Sequence, residues 1–316
     1  MIKMSFTNFY ETVSNNIKSF LPNDYKDAEV SVMDYQKLNT TYKGLIVKKK
    51  NGMISPIINL NLYYKNHQNQ PDLITMEKIC EKIAEVIVKT PIDVNLKSIM
   101  DYDTVKDNLF IRVSSAEKNK DILKYVPHRL KEDLAITYHV AVDMDEDVLS
   151  STIIKNNMLK HYGITAEQLH EDANKSSYRV MTPTISSMET IIEEIIQKDL
   201  FQASPKELAI LQASIKESTQ MPSFFVVSNR QRINGASVIF YPGVMKNIGN
   251  ILDGNFYILP SSIHEMLVLP DDGKVSADEL KLMVTEVNMT EIEPAERLTD
   301  SVYYYDTISE TFKKVC

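Results

Sequence analysis

Between Phe224 and Pro270 the chain reads FFVVSNRQRINGASVIFYPGVMKNIGNILDGNFYILPSSIHEMLVLP. This run sets apolar strand signals at 224–228, 236–241, 256–260 and 265–269 around a helical stretch at 243–252. Parallel neighbours need a crossover of about a dozen residues or more, and most links here are shorter, so the run favours antiparallel strands packed with a helix. A further helix is expected over 276–287. One polar corner, Ser261-Ser262-Ile263-His264-Glu265, breaks the apolar pattern and is the first place to look for a site.

The rest of the chain supplies more of the same ingredients. Phe6, Phe9, Tyr10, Val13, Ile17, Phe20 and Leu21 recur at helical spacing until Pro22-Asn23. Val30 and Val32 alternate with polar residues, and 44–50 faces 53–64 across Asn51-Gly52, a dipeptide that accepts positive φ at both central turn positions. That hairpin would put Ile58, Leu60, Leu62 and Tyr64 on one strand face. Met76, Ile79, Cys80, Ile83 and Ile87 form the apolar side of a second helix.

Strands are expected at 109–113 and 134–142. Helices are expected at 116–125, 151–162 and 165–174, the last opening on a Thr165-x-x-Gln168 capping pattern. An extended stretch at 178–184 precedes a helix at 186–197 and a polar segment at 199–222. The fold class expected is α+β, mostly antiparallel sheets with packed helices, in two units, 1–185 and 186–316.

At 316 residues, 43% hydrophobic and 25% charged, the chain can bury a core and has room for roughly two domains of about 150 residues each. No apolar run approaches the roughly 20 residues of a membrane-spanning helix. No secretory leader is visible in MIKMSFTNFYETVSNN. The two cysteines, Cys80 on an apolar helix face and Cys316 at the end, do not suggest a disulfide, which points to the cytoplasm. A net charge of −8 argues against binding nucleic-acid backbone, and Lys48-Lys49-Lys50 is read as a solvated hairpin tip. The eight glycines form neither GxGxxG nor a Walker loop, so no phosphate-cradling loop and no cofactor are expected.

The chemical candidates are few. Ser262 beside His264 and Glu265 resembles half of a nucleophile–base pair, but no third group or GxSxG elbow is visible. In the competing reading, the hydroxyls of a Pro260-Ser261-Ser262 turn satisfy local backbone groups. His264-Glu265 lacks the second histidine of HExxH, since position 268 is valine, and the six histidines are scattered, so no metal is expected. Asn229, Arg230 and Arg232 lie in a loop where two guanidinium groups could clamp an anion, or simply face water. Asp143, Asp145, Glu146 and Asp147 lack the glycine of a calcium loop and read as solvated. Tyr303-Tyr304-Tyr305, without basic neighbours, reads as packing.

Four stretches together carry a resemblance: ILKYVPHRLKEDLAITY (122–138), GITAEQLHEDA (163–173), 234–269 with NGASVIFYP and FYILPSSIHEMLVLP, and VNMTEIEPAERLTDSVYYYD (287–306). They resemble an uncharacterised bacterial family, a domain of unknown function common in clostridial gut genomes and mobile elements. The resemblance runs from about residue 5 to residue 306 and implies no activity. With no phosphate loop, no metal quartet and no complete triad, the expected function is a non-enzymatic binding or interaction protein with an unknown protein or small-molecule partner, and an accessory role on a mobile element. The alternatives are an enzyme using Ser262 and His264, and an acidic inhibitor that mimics nucleic acid.

Overall fold

The computed structural model describes residues 4–50, 55–70, 73–89, 99–144, 149–191 and 224–316. Contacts divide the chain into two compact units, Met1–Leu96 and Lys97–Cys316. The class is α+β, with antiparallel sheets and packed helices.

In the first unit, α1 (Phe6–Asn16) opens on Ser5, whose hydroxyl accepts from the Asn8 N–H, and runs into a 3-10 turn at Ile17–Phe20. Phe9, Val13 and Ile17, four residues apart, are fully buried. Strands β1 (Glu29–Lys37) and β2 (Thr40–Lys48) form a hairpin closed over Leu38-Asn39, with Asn39 in the left-handed region at φ 65°. The Asn51-Gly52 turn lies outside the described residues. β2 pairs onward with β3 (Ile57–Asn59), which is shorter than the expected strand.

The difference has a local cause. The Asn59 side chain accepts from the Asn61 N–H and starts α2 (Leu60–Asn69). Leu60, Tyr63, Tyr64 and His67 then share a helical face instead of a strand face. Leu60 is fully buried while Leu62 is 59% exposed. α3 (Met76–Lys89) buries Ile79, Cys80, Ile83, Ala84 and Ile87 against α1, completing this unit's core. Lys49, in the basic run, is paired with Asp24 and lies 4.2 Å from the centroid of the Tyr25 ring.

The described residues of the second unit form two sheets. In the smaller, β6 (Leu134–Met144) pairs with β4 (Leu109–Ser115) along one side. Along the other it pairs with β5 (His128–Lys131) and then β7 (Leu149–Ile153). The helix expected at 151–162 yields its first residues to β7, where Ser151, Thr152 and Ile153 oppose Ala141, Val140 and His139. α4 (Tyr102–Val105) precedes β4, and the helix expected at 116–125 shrinks to α5 (Lys120–Leu123). α6 (Asn156–Tyr162) ends on Gly163, and α7 (Ala166–Val180) continues through residues expected to be extended. At its start the Thr165 hydroxyl caps Gln168 N–H, but the Gln168 amide turns to Asp172, so only half of the expected capping box forms.

The larger sheet runs β13 (Thr311–Lys314), β12 (Tyr303–Asp306), β10 (Phe256–Ser262), β11 (Glu265–Pro270), β9 (Phe225–Asn229), β8 (Pro183–Ser187), all antiparallel. The 185/186 boundary expected from sequence falls inside β8, which is hydrogen-bonded along β9. Ser186 and Ser187 are therefore strand. The remainder of the expected 186–197 helix from 192 onward, the 199–222 segment, and the acidic residues Asp145, Glu146 and Asp147 lie outside the described residues.

Residues 236–241, expected as a strand, lie mainly in a 3-10 turn, Gly235–Phe240, leading to α8 (Val244–Leu252). α9 (Ala277–Thr290) opens on a reciprocal Ser276–Glu279 capping box. Ile111, Ile136 and Tyr138 of the smaller sheet share one core with Val227, Val238, Phe256 and Tyr303. The tyrosine run thus serves packing: Tyr303 and Tyr305 are buried. Among the described residues, no helix is long and apolar enough to cross a membrane.

Candidate functional site

The polar corner is the turn between β10 and β11, where the ladder shifts register between Pro260 and Ser262. Three segments meet there: this turn, the end of β9 with its following loop, and the chain near Glu296. The Ser262 hydroxyl accepts from the His264 backbone N–H at 3.0 Å. The His264 carbonyl accepts from the Ser228 hydroxyl at 2.8 Å. Ile263 donates its N–H to the Glu296 carbonyl at 2.8 Å, and its own carbonyl accepts from Ala236 N–H at 3.2 Å. The turn's polar groups are thus satisfied by protein.

The imidazole is held in the same way. Its Nδ1 accepts from the Asn234 N–H at 3.3 Å, which leaves the proton on Nε2, 3.5 Å from a Glu296 carboxylate oxygen. No hydrogen bond among the described residues joins the Ser262 hydroxyl to this ring. Glu265 accepts from the Ser261 hydroxyl at 3.2 Å. Asn229, 1% exposed, closes the following loop on itself by donating to the Ile233 carbonyl at 2.8 Å and accepting from its N–H at 3.2 Å.

Arg230 and Arg232 sit on the exposed side of that loop. The Arg230 N–H donates to the Thr182 carbonyl, and Arg232 takes a left-handed backbone at φ 53°. The corner therefore gathers Asn229, Ser262, His264 and Glu265. Their contacts are those of a clasp between strands, with the serine bonded to backbone rather than to its candidate base.

Ser228, Asn234, Gly235 and Glu296 complete the clasp and were not singled out from sequence. The Asn234-Gly235 dipeptide was the available signal, since it marks a tight turn. Gly235 is required for closeness rather than for φ. A Cβ there would lie 2.3 Å from the Ser228 hydroxyl oxygen, 2.6 Å from the His264 carbonyl oxygen and 2.7 Å from Asn229 N. Among the described residues no group of three His, Cys, Asp or Glu side chains could hold a metal ion.

A second candidate lies along α7. Gln168, Asp172, Lys175 and Arg179 recur at three- and four-residue spacing and face α4 and the turn after it across an open cleft of about 460 Å³. Asp172 organises the cleft, accepting from the Tyr102 hydroxyl at 2.7 Å and the Gln168 amide at 2.9 Å. Burial, reinforced by this carboxylate, raises the Tyr102 hydroxyl well above the usual phenol range, so it stays protonated and donates. Lys106 pairs with Asp103, and Arg179 with Asp107 at 3.5 Å. The cleft is polar, and its charged groups are paired with one another.

No curated protein and no solved structure is significantly similar to this chain. One family does match, over residues 6–307, and its description is Family of unknown function (DUF5688). With nearly its whole length matched, the chain belongs to that family.

Proposed function

We propose that this is a non-enzymatic binding or interaction protein, in which the 261–265 corner clasps strands together and the α7 cleft is the surface offered to a charged partner. The observation that supports this reading is the Ser262 hydroxyl, which accepts from the His264 backbone N–H while the imidazole is engaged by Asn234. A serine nucleophile needs its oxygen within hydrogen-bond reach of the base. The enzyme alternative, with Ser262 as nucleophile, His264 as base and Arg230 or Arg232 holding an anion, requires the clasp to open.

The acidic-mimic alternative requires a contiguous carboxylate face. Lysines and arginines interleave with the acids in the described residues, as in the pairs Lys106–Asp103, Lys124–Asp121 and Arg179–Asp107. A bacterial origin, an accessory role on a mobile element and a cytoplasmic setting belong to the same proposal. The unpaired thiols Cys80 and Cys316 support the last of these.

A fluorophosphonate probe, which captures activated serines, tests the reading directly. The expected result is no labelling of the folded protein. Labelling that disappears in Ser262→Ala would establish a reactive serine and replace the binding reading with the hydrolytic one.

A further inference from the structure

The face of the smaller sheet opposite its core carries an unusual set of groups. Ile111 and Val113 of β4 point into the core, so Phe110, Arg112 and Ser114 share the other face. The β4–β6 register sets Arg112 opposite Thr137 and Phe110 opposite His139, and the Phe110 and His139 rings lie 5.6 Å apart. The Thr137 hydroxyl and His139 Nε2 are 3.1 Å apart. Ser114, Thr137 and His139 are 1%, 0% and 3% exposed, whereas Arg112 is the one residue of β4 that keeps partial exposure.

Two of these groups have no compensating partner among the described residues. Among the described residues, the buried Ser114 hydroxyl has no hydrogen-bond partner. Among the described residues, no carboxylate lies within ion-pair distance of the Arg112 guanidinium, and burial pushes that group down to about 10. Residues 109–115, 128–131 and 134–142 of β4, β5 and β6 contain no aspartate or glutamate. Burial first, and then the nearby Arg112 charge, push the His139 imidazole well below its usual range, so it is neutral. A desolvated cation without a counter-charge and an unsatisfied donor two residues away on the same strand face are both costly. One small ligand bearing negatively charged oxygens would satisfy both.

We infer that this face is an oxyanion-binding site, in which Arg112 supplies the charge and Ser114 a hydroxyl donor to a phosphate or carboxylate group. A guanidinium presents a planar fork of N–H donors that matches either group bidentately. The site is separate from the 261–265 corner and does not depend on how that corner functions.

Thermal unfolding of the full chain in phosphate, in acetate and in chloride at equal ionic strength tests the inference, with Arg112→Met and Ser114→Ala beside the wild type. A ligand that binds only the folded state raises the midpoint in step with the logarithm of its concentration once above its Kd. The expected result is such a rise in phosphate or acetate for the wild type, weaker in Ser114→Ala and absent in Arg112→Met. Whichever anion acts identifies the natural group as phosphate or carboxylate. Because oxyanion salts also stabilise proteins non-specifically, an equal rise in Arg112→Met overturns the inference, as does no rise in the wild type. Arg112→Met removes a cation that has no carboxylate partner among the described residues, so in chloride its midpoint should equal or exceed that of the wild type. A clearly lower midpoint, or failure to fold, would mean that the protein itself pairs Arg112, and would also overturn the inference.

Discussion

Gly235→Ala probes the corner most directly. The added methyl would sit 2.3 Å from the Ser228 oxygen and 2.6 Å and 2.7 Å from two backbone atoms, the His264 carbonyl oxygen and Asn229 N. Ser228 could rotate, but only by giving up its bond to the His264 carbonyl, at about 1 kcal/mol. The backbone atoms belong to β9 and the β10–β11 turn, so they move only with those strands, and overpacking of this kind costs about 1–3 kcal/mol. The lower entropy of the unfolded alanine chain returns about 0.4–1 kcal/mol. The expected net loss is therefore about 1–3 kcal/mol. For a unit of this size that is a fall in midpoint of about 2–4 °C per kcal/mol.

Urea denaturation with circular dichroism, alongside thermal melts, would measure the loss. Ser228→Ala combined with Gly235→Ala should recover only part of it, because the two backbone contacts remain. A Gly235→Ala protein as stable as the wild type would refute the clasp reasoning, since it would mean that the three segments do not approach this closely.

The remaining predictions concern the core and the pH response. Leu60→Ala should cost about 2–5 kcal/mol as a core truncation, whereas Leu62→Lys should stay within about 0.5 kcal/mol, because Leu60 is buried and Leu62 is 59% exposed. Equal costs in denaturant melts would favour a strand over 57–64. Asp133 accepts from the Ser301 hydroxyl at 2.6 Å and from the Tyr303 hydroxyl, with Lys314 at 3.0 Å, tying the β5–β6 turn to β12 and β13.

Burial works to raise the Asp133 carboxyl, but these donors outweigh it and hold it below the usual aspartate value. Its stabilising contribution is therefore present above about pH 3.9, the unfolded value, and is lost as the pH falls through the lower folded value. Asp133→Asn should cost about 2–3 kcal/mol at neutral pH, little of it from the exposed lysine pair. The variant should also show a shallower loss of stability below about pH 4. Parallel acid titrations of the two proteins would detect no difference in slope if the hub were unimportant.

Elements whose apolar residues keep one period over several turns were legible in the sequence. α1 and α3 follow from their three- and four-residue spacing, and the β10–β11 hairpin from two apolar runs around a polar turn. Ambiguity entered where the apolar run was short. Ile58, Leu60, Leu62 and Tyr64 alternate as a strand would, yet Leu60, Tyr63, Tyr64 and His67 fit a helix equally well, and the Asn59 cap with packing on α1 decided between them. Residues 235–240 are buried on nearly every side, so they carry no alternation for a period to reveal.

By itself, the sequence determined the α+β class, the antiparallel hairpins and the position of the polar corner, because these depend on neighbours a few residues apart. The tertiary structure alone decided what that corner does. The bonds that pin His264 come from Ser228, Asn234 and Glu296, about 30 residues away on either side. It alone also placed Arg112 opposite Thr137 and left Ser114 buried without a partner among the described residues. Strand register sets that meeting, and register is a property of the assembled sheet that no local spacing encodes.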